Sequence, residues 1–184
     1  MSMKRLLMAC ALGLLLNVGA QAAGFEARAA TPAPELKAQD LTGATRTLAD
    51  YRGKVVLLNF WASWCPPCLR EMPSMERLRV KMKGRPLAIV ALDSAETPEE
   101  VNAFLFKMKL GFPILLDPDG SNTQRWKVFA LPTTFLLDAQ GRVRYVLTGP
   151  TEWDEDEALE VIESLLAELP ARSKQRESGR LTPR

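Results

Sequence analysis

Val55-Val56-Leu57-Leu58-Asn59-Phe60-Trp61-Ala62-Ser63-Trp64-Cys65-Pro66-Pro67-Cys68 is the stretch that decides how this chain folds. Its first seven residues are a near-continuous apolar run, the pattern of a central strand buried on both faces. From Pro66 a helix is predicted, because Leu69, Met72, Met75, Leu78 and Met82 recur at three- and four-residue spacing with Arg and Lys between them. Pro73 inside that pattern is expected to kink the helix, and Gly84 to end it. A C-x-x-C pair where a buried strand turns into a helix is a redox signal with a mechanism. Cys65 falls at the helix N-terminus, where the dipole stabilises a thiolate, and Cys68 lies one turn on, on the same face. Their Cα atoms can then approach within the roughly 4.4–6.8 Å that a disulfide needs. Cys65, nearer the exposed end, is the expected attacking thiolate, and Cys68 the thiol that resolves the mixed disulfide.

Composition removes the rival chemistries. The 184 residues contain no His and only 3 Cys. Ser-His-Asp and Cys-His nucleophile pairs are excluded, and so are His-ligated zinc, copper and haem iron. C-type haem attachment needs His at position 69, which is Leu. A zinc site would need two further ligands from a body with no other Cys and no His. No metal or other cofactor is therefore expected. A purely structural disulfide remains as an alternative, but a loop this short constrains the unfolded chain little. Asp117-Pro118-Asp119-Gly120-Ser121 resembles a calcium loop superficially. The position that would supply the bidentate Glu is Val128, so the stretch reads as turn chemistry.

The two prolines bear on redox direction. A thiolate at an N-cap is stabilised by N–H groups of the first turn. Pro66 and Pro67 carry none, which leaves the N–H of Cys68 as the nearest donor. The Cys65 thiolate should thus be less stabilised than in strong oxidants, and the couple fairly reducing.

Outward from this stretch, residues 24–34 are Ala/Pro-rich and read as a linker. Leu36–Leu41 and Thr45–Leu48 flank Thr42-Gly43-Ala44, the pattern of an N-terminal β-hairpin. Leu87–Leu92 is a second buried strand and Ile114–Leu116 a third. Between them a helix is predicted from Pro98 to near Gly111, with Thr97 as N-cap and Glu100 completing a capping box. A short helix is expected over Asp119–Val128. A second hairpin pairs Thr133–Leu137 with Val143–Leu147 around Asp138-Ala139-Gln140-Gly141. A last helix from about Asp154 to Leu169 turns Ala158, Val161, Ile162, Leu165, Leu166 and Leu169 inward. The acidic run Glu152–Glu157 reads as its N-terminus, charged to suit the dipole. Strands alternating with helices and a terminal hairpin predict an α/β sandwich around one mixed sheet.

Both ends stand apart from this body, which the reading places at residues 35–169. Lys4-Arg5, an apolar run Leu6–Leu16 and Ala20-Gln21-Ala22 give residues 1–23 the form of a secretory signal peptide, with an uncleaved membrane anchor as the alternative. Either way the basic pair stays inside and the domain is exported. Leu7-Met8-Ala9-Cys10 resembles a lipoprotein cleavage box, but most of the apolar run lies behind it, and Cys10 reads as apolar filler. Residues 170–184 carry five Lys+Arg against one Glu without apolar periodicity, and read as a disordered basic tail. The whole chain is +2, yet residues 24–169 hold 17 Lys+Arg against 21 Asp+Glu, a net −4. No basic stripe survives in the body, which removes the electrostatic argument for a nucleic-acid partner.

With these motifs in place, residues 33–168 resemble the thioredoxin superfamily, and more closely its exported TlpA/ResA-like branch. The resemblance rests on Gly53-Lys54 and the run from Val55 to Cys68, on Glu71 and Pro73, and on Leu131-Pro132-Thr133-Thr134-Phe135. It implies a thioredoxin-like α/β/α sandwich, with the αβ unit between about Pro98 and Asp117 as the branch's central insertion. It implies that Pro132 is cis and faces the disulfide, that the backbone of Leu131 pairs with an extended substrate segment, and that Trp64 shapes the rim and contacts substrate. Asn59 departs from thioredoxin, which has a buried Asp there, and Asn cannot move a proton. Glu71, three residues after Cys68, matches an acidic position of the branch and is the candidate proton handler for Cys68. The resemblance further implies a periplasmic reductase of disulfides in exported proteins, such as apocytochrome c or copper-site proteins, re-reduced by a membrane thiol carrier. A thioredoxin-fold binding or chaperone module and a peroxidase-type antioxidant are the alternatives.

Overall fold

The computed structural model describes residues 24–170. The expected signal or anchor, Cys10 and the basic tail lie outside the described residues. Eight strands form one mixed sheet: β1 Phe25–Pro32, β2 Lys37–Asp40, β3 Thr45–Thr47, β4 Val55–Trp61, β5 Leu87–Ser94, β6 Ile114–Asp117, β7 Thr133–Leu137 and β8 Arg142–Thr148. Their spatial order is β1-β8-β7-β4-β5-β6-β2-β3. β4, β5 and β6 run parallel, while β7, β8 and β1 continue antiparallel on one side and β2 and β3 on the other.

β4 is buried at every residue, as its apolar run requires. Its alternation splits the core. Val55, Leu57 and Trp61 face one layer with Met72, Met75 and Leu78 of α1 (Pro66–Lys81), Val101 of α2 (Pro98–Leu105) and Val161, Ile162 and Leu165 of α4 (Asp156–Ala167). Val56, Leu58 and Phe60 face the other with Leu137 of β7, where Leu36, Tyr51 and Trp126 cover the sheet and the short α3 (Ser121–Arg125) lies. Phe60, Trp126 and Phe135 pack there with ring centroids 4.9–5.8 Å apart. This is the expected thioredoxin-like α/β sandwich.

Four expectations change. Residues 25–32 are not linker: they form the edge strand β1, paired antiparallel with β8 from Phe25↔Leu147 to Pro32↔Arg142. Only Phe25 of that strand is buried, so it carries no period-two signal, and its order comes from backbone bonds to β8. α1 runs unbroken across Pro73, whose ring sits on the exposed face, and stops at Lys81 with Gly84 in the turn beyond at φ +84°. α2 ends at Leu105 rather than near Gly111, after its capping box forms as expected: Thr97 Oγ1 accepts from the Glu100 N–H and the Glu100 carboxylate accepts from the Thr97 N–H. α4 begins at Asp156, and Glu152 and Asp154 lie ahead of it, where both grip Arg77 of α1. That clasp seats the loop before α4 against α1.

Candidate active site

Cys65 is the N-cap of α1, and its Sγ accepts the N–H of Cys68 at 3.4 Å. Pro66 and Pro67 occupy the first two helical positions and offer no donor, so the nearest available N–H is the one expected from sequence. Cys65 and Cys68 are joined by a disulfide with Cα atoms 5.3 Å apart. Both are buried, Cys65 at 4% exposed and Cys68 at 0%. Beside them Trp64 projects outward, 66% exposed.

The second wall is the loop before β7. The Leu131–Pro132 bond is cis, as the resemblance implied. Thr133 is paired with Phe60, which brings Pro132 to the end of β4, the strand that leads into Cys65. The Pro132 carbonyl accepts from the Gly149 N–H at 2.8 Å, tying the loop to the end of β8. Leu131 is half-buried and packs against both core layers. Trp64, Cys65, Cys68, Leu131 and Pro132 thus gather at one end of the sheet, at the carboxyl ends of its parallel strands.

Glu71 completes the group from beneath. It lies one turn after Cys68 on the inner face of α1 and is 1% exposed. Its Oε1 accepts from Asn59 Nδ2 of β4 at 2.7 Å. Its Oε2 accepts from the Thr151 N–H and from Trp153 Nε1, each at 3.3 Å. Burial pushes its carboxyl up to about 7, against the opposing pull of these three donors. Asn59, which cannot itself carry a proton, holds this carboxyl and also donates to Thr134 Oγ1 at 2.9 Å. Thr151 and Trp153 come from a loop some eighty residues downstream, and no local pattern announces them. Nor does the sequence reading single out Asp93, near the end of β5, or Glu96, two residues beyond that strand. An acid closing an apolar run beside the active-site strand was the available signal, since ligands and chemistry collect at the carboxyl ends of parallel strands.

A buried disulfide at a helix N-cap, an opposed cis-proline loop and a raised carboxyl one turn below are the parts of a thiol-exchange site. The AhpC/TSA family model matches residues 29–146. The chain belongs to that family. It is 41% identical over 131 residues to the thiol-disulfide oxidoreductase ResA of Geobacillus kaustophilus, covering 71% of this chain and 75% of the relative. Thioredoxin-like protein YneN of Bacillus subtilis is 43% identical over 120 residues, 64% of this chain and 69% of that one. Among solved structures, a candidate thiol:disulfide interchange protein DsbE from Chlorobium tepidum superposes with a TM-score of 0.71 at 30% identity, covering 77% of this chain and 99% of that one. The protein is therefore a thiol-disulfide oxidoreductase of thioredoxin-like fold. Among the described residues no helix is long and apolar enough to cross a membrane.

Proposed function

We propose that Cys65 and Cys68 are the exchange pair and that the protein reduces disulfides of exported proteins. The observation that carries this reading is the Cys65–Cys68 disulfide at the α1 N-cap, with the raised Glu71 carboxyl one turn below. In the reduced enzyme the Cys65 thiolate attacks one sulfur of a substrate disulfide. A Cys65–substrate disulfide forms and one substrate thiolate leaves. Glu71 then takes the proton of the Cys68 thiol, and the Cys68 thiolate attacks Cys65 Sγ. The second substrate thiolate leaves, and the Cys65–Cys68 disulfide remains. Trp64 and the Leu131–Pro132 loop hold the extended substrate segment at the rim, with the Leu131 backbone pairing to it.

Residues 1–23 export the domain, as a cleaved signal or a retained anchor, and a membrane thiol carrier restores the dithiol. Exported proteins whose cysteines must stay reduced to receive haem or copper, such as apocytochrome c and copper-site proteins, are the clients this chemistry suits. The test is capture with a Cys68→Ser variant, which cannot resolve the mixed disulfide. Exported proteins bound through Cys65 support the reading, and an empty trap overturns it. Full function of Cys65→Ser would assign the fold to a binding or chaperone role instead. Turnover of peroxide without a disulfide substrate would favour the peroxidase reading.

A further inference from the structure

A second polar cluster closes the carboxyl end of β5, and the exchange steps above leave it idle. Asp93 is 0% exposed, and among the described residues no N–H or hydroxyl stands in good hydrogen-bond geometry to either carboxyl oxygen. In register it stands between Trp61 of β4 and Leu116 of β6, and neither side chain donates to it. The indole Nε1 of Trp61 is likewise buried without a partner. An isolated buried carboxylate is costly, and the group adapts by keeping its proton.

Its polar neighbour is another acid. Glu96 follows Ala95, which turns the chain at φ +65°, and it is buried. The Glu96 carboxylate accepts from the Ser63 N–H at 2.5 Å and from the Ser63 hydroxyl, and Ser63 lies two residues before Cys65. Asp93 is hydrogen-bonded to this same carboxyl. Two carboxyl groups in contact must share a proton. Ser63 directs both of its donors at Glu96 and none at Asp93, which places the proton on Asp93. Burial first, and the Glu96 carboxyl second, push Asp93 up to about 8, against the weaker pull of the Glu96 N–H. The other charged group facing it is Glu100 of α2, also an acid, which acts in the same direction.

We propose that Asp93 and Glu96 form an acid pair sharing one proton, and that this pair positions the Ser63–Cys65 segment and sets the upper pH limit of the competent active-site loop. The proposal rests on Cys65 and Cys68 being the exchange pair. While the proton is present, the Asp93 hydroxyl donates to Glu96 and a single charge is aimed at Ser63. When it leaves, two touching carboxylates repel, Glu96 withdraws, and the chain entering Cys65 loses its anchor. Asp93 and Glu96 are positioning residues that act through Ser63.

The oxidised protein tests this cleanly, because neither thiol titrates in it. A Glu71→Gln background removes the other raised acid. In that background the Ser63 amide proton should move upfield with a midpoint above neutrality. In Glu71→Gln/Asp93→Asn the step should vanish, because the Asn amide keeps donating to Glu96 at every pH. Should that double variant fail to fold, the side-chain carboxyl resonance of Asp93 in Glu71→Gln gives the same reading, titrating far above ordinary carboxylates. With dithiothreitol as reductant, the re-reduction rate of Asp93→Asn relative to the unaltered protein should stay near unity at acid pH and rise several-fold above about pH 9. A Ser63 amide that does not move between about pH 5 and pH 10, a step unchanged by Asp93→Asn, or an Asp93 carboxyl titrating in the ordinary range overturns the proposal. A Ser63 step with an empty Cys68→Ser trap would leave the acid pair standing and remove the exchange reading. Captured clients with an unmoving Ser63 would do the reverse.

Discussion

Glu71 shows how one side chain can be recognised in the sequence while its behaviour is set elsewhere. Its match to an acidic position of the family, three residues after Cys68, made it the proton candidate, but its raised carboxyl follows from burial, which outweighs the donors Asn59, Thr151 and Trp153. Its folded-state value of about 7 lies above the ordinary 4.5. The folded protein therefore binds a proton that the unfolded chain releases between those values, and stability falls as pH rises through that window. Urea unfolding of the oxidised protein should show this loss between about pH 4.5 and 7, and Glu71→Gln should flatten it by on the order of 3 kcal/mol. A pH slope unchanged in Glu71→Gln would show that the carboxyl is not held as described. In turnover, Glu71→Gln should slow resolution by Cys68 while leaving the first attack by Cys65 intact, giving a mixed disulfide that persists in rapid-quench experiments.

At the scale of elements, α1 joins a reactive first turn to a conventional body. Pro66 and Pro67 start the helix well, because their fixed φ suits its first positions, yet they withhold the N–H groups that would steady a thiolate. A single 3.4 Å contact from the Cys68 N–H remains. The redox potential is accordingly expected well below the roughly −120 mV of the strongest periplasmic oxidants, measured by equilibration with glutathione. Replacing Pro67 with Ala restores one donor and should shift the couple toward oxidising. For α2, Thr97→Ala removes both the hydroxyl acceptor and half of the capping box, and should cost about 1 kcal/mol in urea unfolding. The box was legible because both partners lie within one turn. The helix end was not: Met108 continues the apolar spacing of Phe104 and Leu105, but it packs against the core from a chain that has already left the helix after Leu105.

For the whole molecule, the edge strand β1 and the site are mechanically connected. Phe25 is the one buried residue of β1 and packs edge-on against Trp153, with ring centroids 5.8 Å apart. Trp153 in turn donates to Glu71, so the edge of the sheet helps to hold the carboxyl beneath the disulfide. Phe25→Ala should therefore lower stability by roughly 3 kcal/mol and also reduce the pH dependence assigned to Glu71, as water reaches Trp153. Loss of stability with the Glu71 titration untouched would separate the two and refute the connection. Deleting Arg77 is the contrasting case. Arg77 and Glu152 are exposed and Asp154 is half-buried, so Arg77→Ala should cost about 1 kcal/mol.

The sequence alone determined the central buried strand, the helix that follows it, the redox pair at their junction and the class of chemistry, because each is written in contacts within a turn or in strand periodicity. It also named Glu71 and Pro132 through a family pattern. The tertiary structure decided what those residues experience. Whether Glu71 is a wet surface acid or an enclosed one depends on a loop some eighty residues away. Whether residues 25–32 are linker or strand depends on an edge offered by β8. Whether Asp93 keeps a proton depends on Glu96 turning back toward Ser63. Protonation and edge pairing are set by what surrounds a group in space, and burial and long-range hydrogen bonds do not exist until the sheet has closed.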